Sequence, residues 1–257
     1  MVRLYRVEYD SRPAYVAERE HVWRLVQGDA FGKFSDGAEV DPAHLKVLAP
    51  VSPSKIVCVG LNYKDHAAEQ NKPLPAEPLL FIKPSTCVIG HGAPIESPVW
   101  AGRVDHEAEL GVVMRRTAKN VKAGQAYDYI LGLTCVNDVT ARDLQNKESQ
   151  YTRCKGFDTF GPVGPCIAVG LDGRDLQVQA FVNGSVRQNS RTRELIFTIP
   201  ELVEFISSVM TLLPGDIIST GTPSGIGPIR PGDQVTIHVE GVGALTNPVV
   251  VREGQPS

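Results

Sequence analysis

The chain has 257 residues, 42% of them hydrophobic and 21% charged, with a formal net charge of −3. That is enough for a sizeable core in one large domain, or one domain with a small appendage. The slight acidity argues against nucleic acid or an anionic membrane as partner, and no apolar run reaches the length of a membrane span.

Residues 1–52 are expected to form a small β-rich unit. Arg3 to Tyr9 and His21 to Val26 alternate as strands do, punctuated by Gly28, Gly32 and Gly37. Val51 to Lys55 reads as a linker into a larger domain, 53–251, with 252–257 as a tail. The buried strand Lys55 to Gly60 leads into a turn where Asn62 or Asp65 could cap a short helix. His66 and Glu69, three apart, would share a face of that helix. A carboxylate beside an imidazole orients it and raises its basicity, as a general base requires, although a surface histidine with a chance neighbour reads the same way. Pro73, Pro75 and Pro78 mark a loop. Leu79 to Pro84 is a strand whose Lys83 is either solvated or turned into a pocket.

Val104 to Met114 reads as a strand carrying Glu107 and Glu109 two apart. Both carboxylates then project into one space, with Ala108 and Leu110 turned the other way. Two like charges are costly to desolvate unless something positive sits between them. A divalent cation with oxygen ligands satisfies that requirement, and a solvated strand face avoids it. Ile130 to Asn137 is a second buried strand. It ends at Asp138, which is either a cap or a third ligand on a rigid element. Thr140 and Asp143 have capping-box spacing for a following helix. On it Arg142 and Gln145 share a face, which is either an exposed helix surface or a contact face, the one residue suited to a substrate carboxylate and the other to an oxygen. Tyr151 to Pro165 is dense in glycine, proline and aromatics and is expected to be a fixed loop. Its Lys155 is either a solvated loop lysine or, near three carboxylates, one that would stay protonated and could stabilise an oxyanion.

The remainder reads as scaffold. Asn183-Gly184 is a hairpin signal between Gln177–Val182 and Val186–Asn189. Thr198 to Leu213 is the clearest helix. A capping box of Thr198 and Glu201 opens it, an apolar stripe of Leu202, Phe205, Ile206, Val209, Met210 and Leu213 runs along it, and Pro214-Gly215 stops it. Asp216 to Ser219 is a buried strand running into a glycine-rich turn, Thr220 to Gly227, whose backbone N–H groups suit an anionic group. Gln234 to Arg252 is a hairpin or meander. The cysteines at 58, 87, 135, 154 and 166 are odd in number and scattered, with neither zinc spacing nor disulfide density, and the N-terminus lacks a signal-peptide core. A cytoplasmic location is expected.

Seven segments in this order resemble the fumarylacetoacetate hydrolase superfamily over about residues 55–251: NYKDHAAE, LFIKPST, DHEAELGVV, VNDVTARDLQ, KGFDTFGPVGP, LLPGDIISTGTPSGIG and EGVGAL. The resemblance implies a mainly β fold with short helices, a β-roll of mixed sheets preceded by the small N-terminal unit, and a homodimer. It implies Mg²⁺ or Mn²⁺ on Glu107, Glu109 and Asp138. His66 and Glu69 would be an acid/base dyad on a helix that orders with substrate, and Lys155 the oxyanion stabiliser. Thr222 and Gly221 would hold a substrate carboxylate, with Lys83, Arg142 and Gln145 as further contacts. The N-terminal unit resembles the short extension of bacterial members. The expected activity is isomerisation of a 2-hydroxyhepta-2,4-diene-1,7-dioate or hydrolysis of an acylpyruvate C–C bond. Oxaloacetate decarboxylation or tautomerisation is the alternative, and a non-catalytic metal-binding protein the weakest reading. The partner is a small 2-oxo or diketo acid.

Overall fold

A computed structural model describes residues 1–252; Arg252 apart, the expected tail lies outside them. Twenty strands are defined among these residues. They are β1 (Val2–Tyr9), β2 (Arg12–Arg19), β3 (Val22–Gly28), β4 (Phe34–Glu39), β5 (Lys46–Val47), β6 (Lys55–Gly60), β7 (Leu79–Pro84), β8 (Val88–Ile89), β9 (Ile95–Pro98) and β10 (Val104–His106). There follow β11 (Ala108–Met114), β12 (Ile130–Asn137), β13 (Thr140–Ala141), β14 (Gly161–Val169), β15 (Gln177–Val182), β16 (Ser185–Arg191), β17 (Ile217–Ser219), β18 (Gly227–Ile229), β19 (Gln234–Val239) and β20 (Gly243–Arg252). The α-helices are short: α1 (Lys64–Glu69), α2 (Arg142–Lys147), α3 (Thr152–Lys155) and α4 (Ile199–Val209).

Three sheets result. The largest runs β4-β3-β2-β1-β14-β12-β11-β17-β6-β7, with β5 on β1 and β8 on β14; a second is β13-β10-β18 and a third β16-β15-β19-β20-β9. The first and third are mixed, because β17–β6, β14–β8 and β20–β9 are parallel pairs among antiparallel ones, while the second is antiparallel throughout. The fold is therefore mainly β with short helices. The N-terminal strands are continuous with the main sheet, since β1 pairs with β14 from Val2 opposite Val169 to Leu4 opposite Ile167.

Every residue of β11 is buried. Ala108, Leu110, Val112 and Met114 face a core shared with Val178 and Ala180 of β15, Ile237 of β19 and Leu202 and Ile206 of α4. Val113 faces the other way, into a core with Ile56, Cys58, Val136 and Ile217. Burial of each of Leu110, Val112, Val113 and Met114 stabilises by about 1.5–3 kcal/mol, so β11 is fixed from both sides. Its alternation leaves only the end bearing the glutamates turned toward polar surroundings.

Several local expectations are corrected. Thr140 and Asp143 form no capping box: Thr140 lies in β13 and its hydroxyl donates to the Asp138 carbonyl at 2.8 Å, while Asp143 accepts from the Arg103 N–H at 3.0 Å. Tyr63, not Asn62 or Asp65, is the N-cap of α1, and the Asn62 side chain bonds Thr220 O and Phe197 N and O. The capping box of Thr198 and Glu201 is present, but α4 ends at Val209. Beyond it the chain is extended, Leu212 bridging to Ala118, so Val209 and Leu213 lie exposed and Val203 takes a core place the stripe omitted. Residues 151–165 are not all loop, since α3 and the start of β14 fall within them.

Candidate metal and acid–base site

The strand expected over Val104–Met114 breaks at Glu107, with β10 entering the three-stranded sheet and β11 the large one. Glu107 and Glu109 still lie two apart on one side. The β11–β12 ladder supplies the third acid. Ala108 sits opposite Asn137 and Glu109 opposite Val136, so Asp138 falls across from Glu107, and its N–H donates to the Glu107 carbonyl at 2.9 Å. Directly opposite residues of an antiparallel pair point to the same face. Glu107, Glu109 and Asp138 each offer a carboxylate oxygen within 4.8 Å of the others, and all three are buried.

Three cations surround them. Lys155 Nζ donates to Glu107 Oε2 at 2.7 Å and to Asp138 Oδ2 at 2.5 Å, and lies 4.9 Å from the centre of the Phe81 ring. Lys83 Nζ, fully buried, donates to Asp138 Oδ1 at 2.7 Å and to Val139 O at 3.1 Å. Arg142 donates to Glu107 Oε1, to Gln145 Oε1 and, at 2.9 Å, to Asp105 Oδ2. Burial alone would raise the Glu107 carboxyl, but Lys155 and Arg142 overcome it and hold it below the usual range. Glu109 has no such partner. Its Oε2 accepts from Ser219 Oγ at 2.5 Å and Gly221 N at 2.9 Å. Burial, and then the charge of Asp138, push its carboxyl well above the ordinary range.

The donor set fits a hard divalent cation. Three carboxylate oxygens are gathered in one buried place, and the Glu109 side of the cluster lacks positive charge. An ion bound by all three would supply it and leave positions open, because Mg²⁺ takes about six oxygens. The three residues that could hold the metal are the three the sequence pointed to.

The acids line a cavity of about 240 Å³ together with His66, Gln70, Lys72, Arg142, Gln145, Tyr151, Lys155, Thr222 and an apolar wall that includes Val59, Leu61, Leu79 and Phe81. His66 Nδ1 lies 2.9 Å from Glu69 Oε2, and Glu69 Oε1 accepts from the Gly225 N–H at 3.0 Å. A carboxylate only accepts, so Nδ1 carries the proton and Nε2 offers its lone pair, here 2.7 Å from the Gln70 amide nitrogen. His66, backed by Glu69, thus faces the same space as the acids.

Four other expected contacts stand differently in the structure. Lys83 reaches the cluster from behind Asp138 and does not line the cavity. The Gly221 N–H is taken by Glu109. Its φ of +100° and the 2.8 Å that an added Cβ would leave to Asn62 Cβ require glycine there. The Thr222 hydroxyl donates to the Ala108 carbonyl at 2.9 Å and accepts from Gln188 Nε2 at 2.8 Å, which leaves one lone pair or the backbone for a ligand. Arg142 is spent on protein acids, whereas Gln145, whose oxygen accepts from Arg142, keeps its amide N–H groups for a ligand. Sequence reasoning missed Ser219 and Gln188. Ser219 closes a strand already expected to be buried, the one available signal; Gln188 gave none.

The profile of the fumarylacetoacetate (FAA) hydrolase C-terminal family matches residues 55–250. The chain belongs to the fumarylacetoacetate hydrolase family. It is 44% identical to a crystal structure of 2-hydroxyhepta-2,4-diene-1,7-dioate isomerase from Mycobacterium marinum, with a TM-score of 0.92, covering 99% of this chain and 100% of that one. It is 28% identical to maleylpyruvate hydrolase from Sphingobium sp. SYK-6, solved with manganese(II) and pyruvate, with a TM-score of 0.81 and coverage of 98% and 100%. Oxaloacetate tautomerase YisK of Bacillus subtilis is 38% identical over 242 residues, 88% of this chain and 79% of that protein. The family's enzymes include isomerases, hydrolases and tautomerases. Among the described residues no helix is long and apolar enough to cross a membrane.

Proposed function

We propose that the protein is a divalent-metal enzyme acting on a 2-oxo or diketo acid with a second carboxylate. Its reaction would be isomerisation of a 2-hydroxyhepta-2,4-diene-1,7-dioate, or hydrolysis of the C–C bond of an acylpyruvate. One observation carries the reading: three buried carboxylates within 4.8 Å of one another share a cavity with a histidine that is paired with a glutamate behind it.

Bound to Glu107, Glu109 and Asp138, Mg²⁺ or Mn²⁺ would act as a Lewis acid toward a 2-oxo group and its neighbouring carboxylate. His66 takes a proton through Nε2 once the Gln70 amide yields it, either from the carbon beside the carbonyl or from a water. Glu69, held by the Gly225 N–H, stabilises the imidazolium that results. His66 can return the proton to a different carbon of the chain, which completes an isomerisation. If it has instead deprotonated a water, the hydroxide adds to the distal carbonyl, the C–C bond breaks to leave a carboxylic acid and the enolate of the 2-oxo acid, and His66 returns its proton to the enolate carbon. Lys155 stays protonated, because two buried acids hold its pKa up despite the cost of burial. Two of its protons are accepted by those acids, leaving one for a substrate oxygen that gains charge. Gln145 can donate to a second oxygen.

The rest of the cavity favours a longer substrate. The wall of Val59, Leu61, Leu79 and Phe81 suits an unsaturated carbon chain. Lys72 lines the same cavity, and no carboxylate within 4 Å pairs with it among the described residues. It can meet a distal carboxylate. A second reading, oxaloacetate tautomerase, is favoured by the relative of that name, but oxaloacetate has no hydrocarbon chain for the wall. Assays with added Mn²⁺ on 2-hydroxyhepta-2,4-diene-1,7-dioate, an acylpyruvate and oxaloacetate decide between them. Loss of dienoate absorbance or release of pyruvate supports the first reading. Turnover of oxaloacetate alone would replace it.

A further inference from the structure

The strand that carries the glutamates has a gap along one side. β12 accompanies β11 from Ala108 onward, but on the other side β17 pairs only with Gly111 to Val113. Thr220 extends that contact to the Leu110 carbonyl. At Ala108 no strand stands there among the described residues, yet the residue is fully buried. A buried peptide N–H or C=O left unpaired costs about 1–3 kcal/mol.

Two side chains close the gap. The Ala108 N–H donates to Gln188 Oε1 at 2.8 Å, Gln188 Nε2 donates to Thr222 Oγ1 at 2.8 Å, and the Thr222 hydroxyl donates to the Ala108 carbonyl at 2.9 Å. The three bonds form a closed ring. Gln188 also donates to the Pro223 carbonyl at 2.7 Å, and its Oε1 lies 3.1 Å from His106 Nδ1. Gln188 is 1% exposed, the one buried residue of β16, a strand otherwise exposed or half-buried. Its amide is therefore fully committed, and its burial has no apolar purpose.

Ala108 is the residue between Glu107 and Glu109. Fixing both its N–H and its C=O fixes the two peptide planes that carry those side chains. We infer that Gln188, acting through Thr222 and Ala108, sets the spacing of the two glutamates and is a positioning residue for the divalent cation. This rests on the metal role proposed above for those glutamates. It gives the Thr222 hydroxyl a structural task in place of substrate contact.

Mn²⁺ affinity, read by electron paramagnetic resonance of the free ion, tests the inference without turnover. Gln188→Leu and Thr222→Val remove ring bonds at similar volume, and each should weaken Mn²⁺ binding about 10–100-fold, the usual effect of losing a group that orients a ligand. Thr222→Ser keeps the hydroxyl and should stay within about threefold of wild type. Gln188→Asn, a milder change, should also weaken binding, and decides the matter if the larger variants do not fold. Melting in EDTA identifies the folded variants. Wild-type affinity in folded Gln188→Leu or Gln188→Asn, or equal losses in Thr222→Ser and Thr222→Val, overturns the role of Gln188. Failure of the wild-type protein to bind Mn²⁺ would instead overturn the reading of the glutamates.

Discussion

Lys155→Met separates the two tasks assigned to the buried ammonium. Methionine approximates the volume of the stem but removes the charge that Glu107 and Asp138 share at 2.7 and 2.5 Å. Breaking a buried pair by deleting one partner costs about 3–5 kcal/mol. Here Arg142 still holds Glu107 and Lys83 still holds Asp138, so the lower end, about 3 kcal/mol, is expected. At about 2–4 °C per kcal/mol for a chain of this size, the melting temperature in EDTA should fall by about 6–12 °C. Saturating Mn²⁺ restores positive charge beside the same acids, so the variant should gain more stability from the ion than wild type does. Its kcat with Mn²⁺ should nevertheless fall about 10²–10³-fold, the usual loss of one oxyanion donor. Calorimetry with and without Mn²⁺, beside steady-state kinetics, measures all three. A melting temperature in EDTA within about 2 °C of wild type, or equal stabilisation of both proteins by Mn²⁺, would refute the charge reasoning.

Three further outcomes are expected. His66→Ala should lower kcat about 10²–10⁴-fold while Mn²⁺ affinity stays within about twofold; a large loss of affinity would place His66 at the metal instead of at the proton. Lys72→Ala should raise KM for a substrate with a distal carboxylate about tenfold and leave monocarboxylate analogues unchanged, and equal effects on both would remove the distal contact. Asp216, fully buried, accepts from Ser54 and Lys55 and from the Leu213 N–H, tying the start of β6 to β17. Burial raises its carboxyl, but those hydrogen bonds, Lys55 foremost, outweigh it and leave the pKa lowered. Its contribution to stability is complete above the unfolded value of about 3.9 and is lost as pH falls through the lower native value. Asp216→Asn should therefore destabilise at neutral pH, and its deficit should shrink below about pH 4; a deficit independent of pH would show that charge is not what Asp216 contributes.

Much of the site was legible because its chemistry is local. Glu107 and Glu109 share a side through the two-residue period of a strand, and His66 and Glu69 through a helical turn. Asp138 needed the end of a buried strand, and its convergence on the glutamates depends on a β11–β12 register that no local pattern states. Gln188 and Ser219 were illegible for a related reason. They reach the glutamate strand across 80 and 110 residues of sequence, and a lone glutamine in an exposed hairpin strand carries no periodic signal. The break at Glu107 was missed because alternation continues through it while the backbone changes sheets. The overestimate of α4 arose because Met210, Leu212 and Leu213 remain apolar after the helix ends, where Leu212 is drawn into a bridge with Ala118.

Calorimetric titration of the EDTA-stripped protein with Mn²⁺ tests the proposed centre most directly. One ion per chain should bind wild type, and binding should be lost in Glu109→Ala and in Asp138→Ala. Undiminished Mn²⁺ binding in both variants, or none in the wild-type protein, would contradict a metal held by these three acids.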